Sequence, residues 1–234
     1  MRHEEFGRVR IVAALAVHVY TAFGVVLGFL ALNAVFAHDY ALVFLLLATA
    51  LIIDATDGVL ARAVDVRRVT PWFDGALLDS IVDYLNYVVV PVAVMVQPGI
   101  LPDGSQGLAL TVLLASAYGF SRTDSKGFVE HYFLGFPSYW NIVAFYFVVL
   151  DSPPMLNLTV MLVAVVMVFV PMRWLYPSRS EVLRKSTISL GLVWGVMGAV
   201  MLARLPEASP VLGTYSLFYP IYYTVCSAFY HFKY

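Results

Sequence analysis

The sequence predicts an all-α integral membrane protein: a polytopic helical bundle of about eight transmembrane helices with both termini cytoplasmic. Three observations predict it. The 234 residues are 61% hydrophobic and only 12% charged, and mean hydropathy is +0.83, which puts the chain in the membrane class. Apolar windows of span length, about 17–25 residues, recur along the chain at 11–36, 40–61, 72–97, 106–122, 138–150, 155–173, 187–203 and 213–230. With eight crossings and both termini inside, thirteen of the fourteen Lys and Arg residues fall on the inner side and only Arg204 falls outside, as the positive-inside rule requires.

Each window has its own punctuation. The first follows Met1-Arg2-His3-Glu4-Glu5 and is too long for a signal-peptide core, so it reads as a first anchor. The second ends toward Arg62, Arg67 and Arg68. The third looks like a helix opened by Thr70 as N-cap and Pro71 at the first helical position, with Asp74 in the first turn. The fourth ends at Arg122, ahead of a loop with Lys126, Glu130 and His131 that can meet a phosphate or simply lie in solvent. The fifth is short and borrows length from residues 135–138. The sixth runs into a basic segment at 173–179, and the seventh opens at Arg184 and Lys185. These cations can meet anionic headgroups, although topology explains them as well. The last window holds the only cysteine, Cys226, which excludes a disulfide and a cysteine metal site. No polar stretch is long enough for a soluble domain, so residues 1–234 read as a single transmembrane domain. No basic block points to nucleic acid, and no internal repeat supports an inverted-repeat transporter.

Against this apolar background stands one acidic stretch: Asp54, Asp57, Gly58, Ala61 and Arg62, twelve residues, then Gly75, Asp79 and Asp83. A charged side chain at membrane depth costs about 2.5–3.5 kcal/mol on insertion scales, so such residues are partnered and functional as a rule. Positions 54, 57, 58 and 61 follow i, i+3, i+4, i+7 on one helix face, and 75, 79 and 83 form a four-residue ladder on the next. At ~1.5 Å per residue, both pairs of acids lie roughly 10–18 Å along antiparallel neighbours. Several hard oxygen ligands suit Mg²⁺ or Mn²⁺, and two such ions would clamp a phosphoryl group. The acids can instead pair with Arg62, Arg67 and Arg68 or line a proton path, but four of them in this arrangement favour metal. His18, midway along the first window, reads as a helix–helix hydrogen bonder rather than a ligand.

At these residues the chain resembles the CDP-alcohol phosphotransferase family, whose signature is Asp-x2-Asp-Gly-x2-Ala-Arg, a spacer, then Gly-x3-Asp-x3-Asp. All eight signature positions match. The spacer departs from the pattern, with twelve residues where most members have eight, and this longer spacer resembles the bacterial branch that joins choline to CDP-diacylglycerol. The resemblance extends to 135–141 and 173–179. It implies that Asp54, Asp57 and Asp79 hold metal with Asp83 sharing one ion. It further implies that Asp83 is the general base toward the alcohol, that Gly58, Ala61 and Gly75 leave room for CDP-diacylglycerol, and that Arg62 supports the site. It also implies a homodimer among membrane lipids in the bacterial inner membrane, with the site facing the cytoplasm. Serine is the alternative acceptor, and an ion-coupled transporter is a more distant reading.

Choline carries a quaternary ammonium, which aromatic faces hold best. Tyr84 directly follows Asp83 and Tyr87 lies four residues after it, and Trp72, Tyr118, Tyr139 and Trp140 fall in the cytoplasmic halves of their windows. Aromatics are enriched at membrane interfaces in any case, so each is a candidate on chemistry alone. The third window has no Lys or Arg beside the base, which disfavours an anionic acceptor without separating choline from serine.

Overall fold

The computed structural model describes residues 7–122, 132–175 and 183–233. Lys126, Glu130, His131 and Arg179 lie outside the described residues. Helices dominate, and the chain divides into two compact units, one up to Val90 and one from Pro91.

The first unit is built on α1 (Arg8–Phe36) and α2 (Tyr40–Val64). His38 at φ 56° turns the chain between them. Asp39 then caps α2, its side chain accepting from Leu42 N at 3.0 Å, which satisfies one of the helix's unbonded first-turn amides. Asp65 at φ 59° ends α2, and the short α3 (Val66–Val69) follows. α3 seats Val66 and Val69 on Ala14 and Val17 of α1, with Ile11, Ala61 and Val64 around them.

The next helix starts later than the sequence reading placed it. Thr70 is not an N-cap. It ends α3, fully buried, and its hydroxyl donates to Val66 O at 3.0 Å. A side chain bonded back onto its own helix is not available to open the next one. Asp74 takes that role and accepts from Ala76 N and Leu77 N at 3.1 and 3.0 Å. α4 therefore runs Gly75–Tyr84, followed by a π-helical turn at Leu85–Val89 and then α5 (Val90–Met95).

α4 meets α1 where α1 has no side chains. Gly24 and Gly28 lie one turn apart on α1, opposite Val82, Leu85 and Asn86. A methyl added at Gly28 would stand 2.6 Å from Leu85 Cδ2. Asn86 Nδ2 donates to Gly24 O and Val82 O, both at 3.0 Å. Small residues at such a crossing let backbones approach closely in a membrane, where the hydrophobic effect cannot drive helices together.

The second unit contains α6 (Leu110–Ser121) after a 3₁₀ turn at Gln106–Ala109, α7 (Trp140–Val149), α8 (Pro154–Phe169), α9 (Arg184–Ala203), α10 (Pro210–Ser216) and α11 (Phe218–Lys233). Its described residues also include an antiparallel pair outside the all-helical reading, β1 (Tyr132–Leu134) and β2 (Arg173–Leu175). The outer edge of β2 is satisfied by α11: Leu175 N donates to Ser227 Oγ at 3.2 Å, and Leu175 O accepts from Tyr223 Oη at 2.7 Å. Residues 135–138 do not lengthen α7. Gly135, at φ 80°, sends its amide to Met172 O, and Phe136 sends its amide to Met167 O, each at 2.9 Å.

Among the described residues four helical segments are long and apolar enough to cross a membrane: Arg8–Phe36, Tyr40–Val64, Gly75–Met95 and Arg184–Ala203. Gln106–Ser121, Trp140–Val149 and Pro154–Phe169 are shorter apolar helices. The chain is a helical membrane protein.

The Gly24 crossing yields a first prediction. In Gly24→Ala the new methyl collides with Val82 Cγ1, and a β-branched side chain on a helix has little freedom to move aside. Stability should fall by about 1–3 kcal/mol, read as a lowered midpoint of thermal unfolding in detergent, whereas Gly195→Ala, which meets no atom, should leave it unchanged.

Candidate active site

The acids gather as their spacing predicted. One carboxylate oxygen from each of Asp54, Asp57 and Asp79 lies within 4.8 Å of the other two. Asp54 and Asp57 come from α2 and Asp79 from α4, all inside the first unit. Asp57 is buried at 7% exposure, while Asp54 and Asp79 are half-buried. Three converging carboxylates are a hard-oxygen set of the kind that holds a divalent cation. Asp83 lies one turn beyond Asp79 on the same ladder, half-buried and outside the group of three.

Two hydroxyls that the signature does not contain grip this group. Thr21 of α1 donates to Asp57 Oδ2 at 2.7 Å. Tyr87, on the π-helical turn, donates to Asp54 Oδ2 at 2.8 Å, and its phenol also lies within electrostatic reach of Asp83 and Asp79. A mid-helix threonine has no sequence mark of its own. Tyr87 had one, because positions 75, 79, 83 and 87 continue a single four-residue ladder.

The small signature residues differ in what surrounds them. Gly58 is open on its outer side except for the Arg62 guanidinium, which a methyl there would meet at 3.3 Å from Nη1. Arg62 is exposed and folds back along α2 to Gly58. Ala61 packs on the Ala14–Val17–Val66–Val69 cluster. Gly75 is covered: a methyl there would come 3.0 Å from His18 Cε1. His18 Nε2 lies 3.0 Å from Thr70 Oγ1, and its ring packs on Phe73 with centroids 4.1 Å apart. The smallness of Ala61 and Gly75 therefore serves packing against α1 and α3, whereas that of Gly58 leaves space beside the acids.

The candidate aromatics divide by unit. Trp72, Tyr84 and Tyr87 belong to the unit that holds the acids; Trp72 is 54% exposed and Tyr84 half-buried. Tyr118, Tyr139 and Trp140 belong to the other. Tyr118 is exposed and packs on Phe169, with Arg122 over its ring. Tyr139 contacts Tyr223 through ring and hydroxyl. Trp140 corrects the expectation for it: the side chain is 0% exposed and its indole N–H donates to Ser116 Oγ at 2.8 Å. No ring face is left for a cation, so Trp140 joins α7 to α6.

No family model matches the chain. Individual relatives do. The phosphatidylcholine synthase of Legionella pneumophila is 38% identical over 215 residues, covering 88% of this chain and 84% of its own length. The chain belongs to the phosphatidylcholine synthase family. The phosphatidylcholine synthases of Pseudomonas aeruginosa and Bradyrhizobium diazoefficiens are 36% and 40% identical over 200 and 186 residues, covering 85% and 79% of this chain and 84% and 69% of their own lengths. Membership of the phosphatidylcholine synthase family makes the chain an enzyme, a phosphatidyltransferase, and sets the transporter reading aside.

Proposed function

We propose that this enzyme transfers the phosphatidyl group of CDP-diacylglycerol to choline, forming phosphatidylcholine and releasing CMP. The observation that carries the reading is the convergence of Asp54, Asp57 and Asp79 in the order and spacing of the CDP-alcohol phosphotransferase signature. The names of the relatives favour choline over serine.

In this reading Asp54, Asp57 and Asp79 would hold Mg²⁺ or Mn²⁺, and Asp83 would share a second ion. A divalent cation held there would neutralise the diphosphate and draw charge from the phosphorus under attack. Gly58 leaves backbone space for the nucleotide, and Arg62 adds positive charge beside it. Asp83 accepts the proton of the choline hydroxyl as its oxygen forms a bond to the lipid-bearing phosphorus and the bond from that phosphorus to CMP breaks. Within the first unit, Tyr84 and Trp72 supply the aromatic faces for the ammonium group.

We assign eight crossings with both termini cytoplasmic and the acids on the cytoplasmic side of the bacterial inner membrane. The distribution of the basic residues supports this, as does a helix in every apolar window. Residues 1–234 are read as one domain because the similarity spans 88% of the chain. The homodimer rests on family resemblance.

The deciding assay supplies purified protein with CDP-diacylglycerol, Mn²⁺ and either choline or serine, and measures CMP and the lipid formed. Choline should be used and serine refused; product from serine alone would reverse the assignment. Chelation should abolish turnover, and Asp54→Ala, Asp57→Ala and Asp79→Ala should each lose at least ~100-fold, the scale of removing one preorganised electrostatic group. Near-normal turnover in two of the three would remove the metal assignment.

Asp83 separates chemistry from binding. Asp83→Asn keeps the shape and loses the proton acceptor, so turnover should drop ~10²–10⁴-fold with CDP-diacylglycerol binding largely retained. Complete loss of nucleotide binding would make Asp83 a ligand first. Reporter tags on both termini should read cytoplasmic; a periplasmic terminus would force a recount of the spans.

A further inference from the structure

We propose that Tyr87 and Thr21 are positioning residues for the metal-holding aspartates, each fixing one oxygen of Asp54 or Asp57 so that the remaining lone pairs face a cation. This rests on the metal reading of the three acids given above.

The geometry is reciprocal. Both acids lie on α2, one turn apart, and each is held from a different neighbouring helix: Asp57 Oδ2 by Thr21 Oγ1 of α1 at 2.7 Å, Asp54 Oδ2 by Tyr87 Oη at 2.8 Å. Short bonds of this kind to an ionised acceptor are charge-assisted and strong. A carboxylate has about four lone-pair sites, so one donor per acid orients the group without exhausting it. Ligand-orienting donors outside the metal's own shell are a general feature of metal sites.

The backbone around Tyr87 is specialised for this reach. Leu85–Val89 is a π-helical turn, an irregularity that re-aims side chains and recurs at functional sites. It comes directly after α4, the helix of Asp79 and Asp83. On its other face the same turn presents Asn86, whose amide locks onto Gly24 O of α1. Gly24 is three residues beyond Thr21 on α1. The crossing that brings the π turn against α1 thus sets the places of both donors together.

Such a role differs from choline recognition, which would use the ring face of Tyr87, and from simple interhelical adhesion, which would affect stability alone. The test is Mn²⁺ binding to the full-length protein in detergent without substrate, followed by the loss of the free-ion paramagnetic resonance signal, with thermal unfolding of the metal-free protein measured in parallel. Tyr87→Phe and Thr21→Val should weaken Mn²⁺ binding ~10–100-fold, the usual effect of removing an orienting partner. Thr21→Ser, which keeps the hydroxyl, should recover wild-type affinity. Should wild type bind Mn²⁺ while Tyr87→Phe and Thr21→Val bind it equally well, the hydroxyls are adhesive only, and the positioning role falls while the metal reading stands. Should wild type bind no better than Asp57→Asn, the metal reading fails and takes this one with it. If Tyr87→Phe does not fold, the Thr21 pair decides: weakening in valine with recovery in serine supports the role, and equal binding in both overturns it.

Discussion

A carboxylate placed inside an apolar helix has lost much of its water, and the surroundings of Asp54, Asp57 and Asp79 can be understood as a response to that loss. In low dielectric an unpartnered ionised group is far costlier than at a surface. Three of them within 4.8 Å repel one another as well. The hydroxyls of Thr21 and Tyr87 relieve part of the solvation deficit, and on the proposed metal reading a cation would relieve the remainder. On the proposed reading the site's electrostatic demand and its chemistry are one property: a pocket that fully satisfied its acids with protein cations would have no use for a metal.

Meeting that demand needs helices that approach closely, and this explains where the small residues are. Thr21 reaches Asp57 along the α1–α2 pair, where Leu27 of α1 packs with Ala50 and Ile53 of α2. Tyr87 depends on α4 lying tightly on α1, which Gly24 and Gly28 permit. The second unit also gives its buried polar side chains internal partners. There Tyr146 pairs with Ser216 at 2.7 Å, and the Trp194 indole N–H donates to the Tyr146 hydroxyl at 2.8 Å. Polar groups inside a membrane protein need such internal partners because lipid supplies none.

The parts legible in the sequence were those with a period. The apolar windows, the i, i+3, i+4, i+7 face of α2 and the four-residue ladder of α4 all follow from helical geometry, and together they located the three acids. What escaped lacks a period or depends on competition between side chains. The start of α4 was misplaced because Thr70 and Asp74 are both good caps by type. Only the fold shows Thr70 bonded to Val66 O and His18, which leaves Asp74 to cap. The β1–β2 pair is three residues a side, too short for an alternation to appear. Trp140 has the composition of a cation-binding aromatic, yet the indole N–H that makes tryptophan suited to interfaces here reaches inward to Ser116. The Gly24-x3-Gly28 spacing was readable as a close-packing face, and it would have marked where Tyr87 and Asn86 come to rest.

The signature itself then needs a division of labour that its linear form conceals. On the proposed reading Asp54, Asp57, Asp79, Gly58 and Arg62 would surround the chemistry, while Ala61 and Gly75 meet α1 and α3. This bears on the long spacer. Within its twelve residues lies α3, whose Val66 and Val69 pack on the same α1 surface that Ala61 uses. The spacer is thus anchored at its start by α3 and at its end by His18, which touches Thr70, Phe73 and Gly75 at once. Extra residues between two anchored ends change the path of the chain and leave the helix ends in place. The register of Asp79 against Asp54 and Asp57 is set by those anchors rather than by spacer length, and so a longer spacer is compatible with an unchanged constellation of acids.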